Sequence, residues 1–338
     1  MRRPIRGWAW ALVLALVLLA GCTGTTAATA PTSTAPPVNI SPASVPPATG
    51  STVTAPTPVI STDAAGAAAD PTTTPATVPA ESDVWIPAGD HRVPGTLALP
   101  AAAPGQRAPA VLLLHGDLSS RDENNEIFRR LAAALAARGI ASLRIDFAGS
   151  GDSEEPDLAL DYPNMVADAT ASLAYLDQQS VIDPSRVALL GLSRGAAIAA
   201  TMAGTLPGVA ALVSWSGAIY NGFDEDPGGH QEARDNGYQV VDLGDREFDL
   251  SLAWFDTIQA SHPLDDVAGY PGPVLAVVGS DDDVVPPEVS DDFLARVAST
   301  DKTLHTIDGA DHGFGAEPGF GDEAIAVTTD WLVARLLR

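Results

Sequence analysis

A serine hydroxyl attacks a carbonyl only when a base takes its proton, a carboxylate orients that base, and fixed N–H donors meet the oxyanion. The sequence holds a candidate for each role. Gly191-Leu192-Ser193-Arg194-Gly195 matches the nucleophile-elbow pattern G-x-S-x-G. Glycine is needed at 191 and 195 because a tight strand-to-helix turn leaves no room there for side chains. The pattern also arises by chance, and a bland reading makes Ser193 a helix cap in a glycine turn. Here an apolar strand pattern (187–190) precedes it and a small-residue helix (196–204) follows. Carboxylates cluster at Asp281, Asp282 and Asp283, after the apolar run 274–279; blandly read, they form a solvated acidic turn. Of the histidines at 91, 115, 230, 262, 305 and 312, only His305 and His312 follow that cluster. His305 lies in a strand pattern, where its side chain is expected to be fixed in packing. His312, in Gly309-Ala310-Asp311-His312-Gly313, is the expected base, and Asp311 is expected to shape its loop rather than orient the ring.

The elements that must position these residues alternate from about residue 81 onward. Two short strands are expected in 84–100 around Ala88-Gly89-Asp90, and a buried strand over 109–115. A helix over 127–138 ends at Gly139, a good C-cap. A strand over 141–147, a helix over 164–179, and strands over 209–215, 274–278 and 303–307 follow, with last helices over 289–298 and 324–337. Continuous apolar strands alternating with helices imply a mostly parallel sheet covered on both faces. Between 216 and 271 the alternation lapses into a polar, acidic, Gly-rich stretch with an amphipathic piece at 250–258. An insertion there overhangs the strand ends, where open α/β sheets bind ligands, so 216–271 reads as a cap or, failing that, as a crossover with a long loop.

The chain resembles the α/β-hydrolases, over about residues 82–338. The order Ser193, Asp282, His312 is that of this family and not of chymotrypsin- or subtilisin-like enzymes. Val111-Leu-Leu-Leu-His115-Gly116-Asp117 is similar to the family's oxyanion loop, which implies backbone N–H donors at Asp117 and Arg194 and a structural role for His115. Many members carry a bulky apolar residue where this chain has Asp117. The family pattern of a strand followed by Gly-Thr/Ser-x-Asp-x-x-Val-Pro selects Asp282 as the triad acid over its neighbours Asp281 and Asp283. Arg144-Ile-Asp146-Phe-Ala-Gly149-Ser-Gly151-Asp152-Ser153 resembles a loop of cinnamoyl/feruloyl esterases and dipeptidyl-peptidase-like hydrolases, as do 236–255 and His262-Pro263-Leu264. The resemblance implies ester hydrolysis through an acyl-enzyme, with cleavage of short peptides as the rival reading and a non-catalytic binding lipoprotein as a third. Fold follows from the resemblance; the substrate does not.

Composition narrows the partners. The net charge is −25, and omitting Arg2, Arg3 and Arg6 leaves 15 basic residues against 43 acidic ones, a balance of −28. Such a surface repels nucleic acid, whose phosphates need Lys/Arg clusters. The Gly-rich stretch 149–153 lacks the Lys-Ser/Thr of a P-loop, no His/Cys/Glu cluster has metal-ligand spacing, and no cofactor is expected. Residues 1–22 read as a signal: a basic start, an apolar run over 8–20, then Leu19-Ala20-Gly21-Cys22, which looks like a bacterial lipobox. Cys22 is the single cysteine of the chain and stands where such a motif is lipidated. The paired Arg2-Arg3 suggests a twin-arginine signal that the following residues do not support. Residues 23–80 are rich in Thr, Ala and Pro and read as a stalk of roughly 40 Å as a coil. The expected location is therefore the cell envelope, outward-facing and anchored through Cys22.

Overall fold

The apolar runs expected to be buried strands lie side by side in one sheet of the computed structural model, which describes residues 80–101, 105–222, 226–244 and 246–338. The chain enters through an antiparallel pair, β1 (Ala80–Ala88) and β2 (His91–Leu99), turned at Gly89 with φ 67°. Then come β3 (Ala108–Leu114), α1 (Ile127–Ala137), β4 (Ala141–Ile145), α2 (Tyr162–Asp177), β5 (Ile182–Leu192), α3 (Arg194–Thr205) and β6 (Val209–Trp215). An excursion follows, made of α4 (Pro227–Asn236), the hairpin β7 (Tyr238–Asp242) and β8 (Glu247–Ser251), α5 (Leu252–Gln259) and the short α6 (Pro263–Asp266). After it stand β9 (Val274–Gly279), α7 (Glu288–Arg296), β10 (Lys302–Ile307) and α8 (Pro318–Leu336). The signal segment, Cys22 and the stalk up to residue 79 lie outside the described residues.

The sheet order is β1-β2-β4-β3-β5-β6-β9-β10, antiparallel at β1-β2 and β2-β4 and parallel from β4 onward. This is the α/β-hydrolase arrangement that the sequence implied. Strand periodicity divides the core into two layers. Ala110, Leu112 and Leu114 of β3 face Met165 and Leu176 of α2 and Ile198 and Met202 of α3, while Val111 and Leu113 face Phe128 and Leu131 of α1 and Leu332 of α8. Each such side chain, fully removed from water, stabilises the fold by about 1.5–3 kcal/mol.

Three elements start earlier than their patterns suggest, the first being β1, at Ala80 rather than 84. β5 begins at Ile182 rather than 187, through a polar Asp183-Pro184-Ser185 stretch. α8 begins at Pro318 rather than 324, through Gly319 and Gly321. Glycine is a poor helix former, but packing overrides propensity here: a Cβ at Gly321 would lie 3.4 Å from Ile127 Cδ1 and from Phe314 O.

One pair, half-buried His91 and buried Asp168, ties β2 to α2 and to the loop after β4. His91 Nε2 lies 2.8 Å from Asp168 Oδ1, and Ala148 N–H donates to Asp168 Oδ2 at 2.8 Å. Burial by itself lowers the His91 imidazole, but the hydrogen bond and charge of Asp168 outweigh it and raise it above 6.5. Burial also raises the Asp168 carboxyl above 3.8, against the pull of Ala148 N–H and His91. Groups raised in the folded state stabilise it fully at low pH and lose that contribution as pH rises through the folded-state values. His91→Gln is therefore expected to cost about 1–2 kcal/mol near pH 6 and less near pH 8.5. Equal losses in Tm at the two pH values would contradict this coupling.

Candidate active site

Ser193 is the single residue between β5 and α3, with φ 53° and ψ −118°. That backbone costs a non-glycine residue on the order of 1–3 kcal/mol unless its surroundings hold it. Three main-chain hydrogen bonds do so. Ser193 N–H donates to Trp215 O at 2.9 Å, and Ser193 O accepts from Ala218 N–H at 3.0 Å and Ala196 N–H at 3.1 Å. The flanking glycines are explained by backbone on all sides. A Cβ at Gly191 would lie 2.1 Å from the Gly195 carbonyl, and one at Gly195 would lie 2.0 Å from Leu114 O. Gly195→Ala is expected to destabilise by about 3 kcal/mol or more, read by urea denaturation. A variant as stable as the parent would disprove the close approach.

β9 ends at Gly279, and the chain turns into the acidic loop. Asp281 and Asp283 are exposed there, whereas Asp282 is buried. Asp282 Oδ1 accepts from Val284 N–H at 3.1 Å and Val285 N–H at 2.8 Å, which fixes the carboxylate. Its two oxygens stand 3.1 and 2.9 Å from His312 Nδ1. A carboxylate on Nδ1 holds the proton there and leaves Nε2 as the basic nitrogen. Asp311 turns away and accepts from Gly315 and Ala316 N–H at 2.8 and 3.0 Å, bending the loop. His305 sits on β10 as expected, but it is not fixed in the interior. β10 is an edge strand whose residues 302, 304 and 306 are exposed, and His305, in its half-buried row, pairs through Nε2 with Glu323 Oε1 of α8 at 2.8 Å.

β3 delivers the opposite wall. His115 is fully buried; Nδ1 faces Gly116 O at 2.7 Å and Nε2 accepts from Phe147 N–H at 3.2 Å, so the ring links the ends of β3 and β4. A Cβ at Gly116 would stand 3.2 Å from Ser193 Cβ, so the 116–117 turn borders the serine. Asp117 and Arg194 meet through their side chains, Arg194 Nε donating to Asp117 Oδ2 at 3.1 Å. This side-chain contact comes in addition to the main-chain roles that the family resemblance implies for the two residues.

Glu123 escaped the sequence reading altogether. It is buried, its Oε1 accepts from Gly116 N–H at 2.5 Å, and its Oε2 accepts from Ser119 Oγ at 2.8 Å. Leu118, Glu123, Asn125 and Glu126 all have positive φ, so this loop needs such ties. An acid shortly before α1 resembles an ordinary helix cap, which hid the role. Glu123→Ala is expected to lower kcat about tenfold by loosening the loop, and Glu123→Gln, which keeps an acceptor oxygen for Gly116, to recover most of it. Unchanged steady-state kinetics in the alanine variant would exclude this.

The Gly-rich loop after β4 wraps the carboxylate of Asp146. Asp146 is buried, accepts from Arg121 N–H at 2.6 Å and Asp152 N–H at 3.1 Å, and ion-pairs with the Arg121 guanidinium. A Cβ at Gly151, where φ is 54°, would fall 2.2 Å from Asp146 Oδ1. The excursion after β6 packs nearby: Tyr162 N–H donates to Thr257 Oγ1 at 3.2 Å, and the buried His230 ring stacks on Phe255 at 5.1 Å.

Comparison with known proteins agrees with this architecture. Residues 111–320 match the profile of the "Alpha/beta hydrolase family". An uncharacterized protein of Mycobacterium tuberculosis is 30% identical over 236 residues, covering 70% of this chain and 73% of that protein. Ferulic-acid-bound Est1E from Butyrivibrio proteoclasticus superposes with a TM-score of 0.62 at 20% identity, over 75% of this chain and 100% of that one. The esterase domain of a Rhodothermus marinus protein does so with a TM-score of 0.58 at 22% identity, over 76% of this chain and 99% of that one. With more than half of its length matching the family and its sheet order and strand-turn-helix elbow in agreement, the chain belongs to the alpha/beta hydrolase family.

Proposed function

We propose that the protein is a serine hydrolase cleaving carboxylic esters through an acyl-enzyme, with Ser193 as nucleophile, His312 as base and Asp282 as its orienting acid. The observation that carries this reading is the two-oxygen grip of buried Asp282 on His312 Nδ1, at 3.1 and 2.9 Å. His312 Nε2 takes the Ser193 Oγ proton as Oγ bonds to the ester carbon, and the carbonyl oxygen becomes an oxyanion facing the N–H groups of Asp117 and Arg194. The C–O bond to the alcohol then breaks, with His312 returning the proton to the departing oxygen. Water repeats the attack on the acyl-enzyme and releases the acid. The esterase neighbours favour esters over peptide amides as substrates. Within residues 216–271 the part before α6 acts as a cap over the carboxyl ends of the strands, while α6 and Tyr270 return along α3 to Val209 at the amino end of β6. Cys22, lipidated after signal cleavage, tethers the enzyme to the envelope.

A fluorophosphonate probe tests the reading. It should add one phosphonyl group to the protein, on Ser193, with ester turnover falling in step with the adduct. Adduct formation elsewhere, or turnover that survives full labelling, would overturn it. Parallel assays on matched ester and amide substrates separate esterase from peptidase, and Cys22→Ser should release the protein from the membrane fraction.

A further inference from the structure

Asp117 and Arg194 carry the two N–H groups assigned to the oxyanion, yet they stand on separate elements. Asp117 lies on the loop after β3, next to Leu118 at φ 59°, and Arg194 opens α3. Among the described residues no main-chain hydrogen bond joins 117 to 194. Their side chains do join them. Arg194 is only 2% exposed, its Nε donates to Asp117 Oδ2 at 3.1 Å, and the Asp117 side chain is 18% exposed. Asp117 Oδ1 is buried and has no hydrogen-bond partner among the described residues, so the guanidinium is the one described group that compensates this carboxylate.

We propose that the Asp117–Arg194 side-chain pair is a brace across the oxyanion hole, setting the separation of the two backbone N–H donors and keeping a carboxylate beside the hole neutralised. The proposal rests on the serine-hydrolase reading. Oxyanion donors work only when both lie within about 0.4 Å of their best distance from an oxygen that exists fully only in the transition state. β3 and β5 pair as far as Leu114↔Gly191 and Glu123 holds Gly116, but beyond those points a strained loop faces a helix end with no main-chain bond between 117 and 194, and the side-chain pair supplies that last tie. In addition, a buried pair broken on one side leaves an uncompensated charge. A bare Asp117 carboxylate would oppose the negative charge developing on the substrate oxygen. Both effects act on the transition state and leave ground-state binding nearly unchanged, so they appear in kcat rather than KM.

The test is a double-mutant cycle on the full-length protein with one ester substrate. Asp117→Ala, which removes the acceptor for Arg194 Nε, and Arg194→Gln should each lower kcat by about 10- to 100-fold, with KM shifted less than about threefold. The double variant should be no slower than the slower single one, because the second change removes a partner already lost. Asp117→Glu, which keeps the charge, should recover part of kcat. Losses that multiply in the double variant, losses confined to KM, or single variants with parental kcat would each overturn the brace. If Arg194→Gln does not fold, the contrast between Asp117→Ala and Asp117→Glu decides: equal kcat in the two overturns it. Fluorophosphonate labelling of the unsubstituted protein keeps the two proposals apart. An unlabelled Ser193 sinks the hydrolase reading, whereas a labelled Ser193 with an unresponsive pair sinks only the brace.

Discussion

Ser193→Ala is expected to lower kcat/KM for an activated ester by about 10⁴- to 10⁶-fold while leaving the fold in place. The loss is large because the base and the oxyanion donors act on a bond that only the serine oxygen forms. Without it, what remains is the modest effect of binding an ester beside two N–H donors. A residual rate within about tenfold of the parent would mean that another group is the nucleophile. Strain at this position gives a second, opposite readout. Ser193 holds φ 53° and ψ −118°, a region glycine enters freely. Ser193→Gly should therefore be as inactive as the alanine variant and more stable than it by about 1 kcal/mol, measured by urea titration. A glycine variant less stable than alanine would show that the elbow stores no strain.

Asp282→Asn carries the next largest effect, a fall in kcat of about 10⁴-fold. Asparagine keeps an oxygen for the N–H groups of Val284 and Val285, so the acidic turn should hold its shape. It cannot balance the charge that His312 gains when it takes the serine proton, and its amide can present N–H to Nδ1 and so favour the wrong tautomer. Asp281→Asn and Asp283→Asn serve as the internal comparison. Both side chains are exposed and neither touches His312, so their kinetics should match the parent's. A large loss at either neighbour with none at Asp282 would move the acid to that residue and undo the assignment.

The positions of these residues were legible in the sequence to different degrees, for physical reasons. A buried parallel strand must be apolar on both faces, so β3, β6 and β9 announced themselves within a residue or two. The elbow was visible because only glycine tolerates backbone 2.0–2.1 Å from where a Cβ would stand. Where polar or glycine-rich residues belong to an element, as at the start of β5 and of α8, local propensity misled. There, neighbours in the fold supply the stability that the segment lacks. His305 shows the same limit: its strand was readable, but its partner Glu323 on α8 was not.

Chain order, the small-residue elbow, and the candidate serine, acid and base follow from the sequence by itself, because each is written in a stretch of fewer than about ten neighbouring residues whose spacing maps directly onto backbone geometry. The choice of Asp282 over Asp281 and Asp283 needed a family pattern; in the structure Asp282 is the one of the three that is buried and faces His312 Nδ1. The ties between Glu123 and Gly116, Arg194 and Asp117, and His91 and Asp168 were decided only in three dimensions. Two of those three join residues 77 positions apart, and the third closes a loop of seven. A charged side chain on one segment carries no local mark of the partner that folding brings to it, and only the packed sheet, by aligning the carboxyl ends of its strands, sets Asp117 against Arg194 beside Ser193.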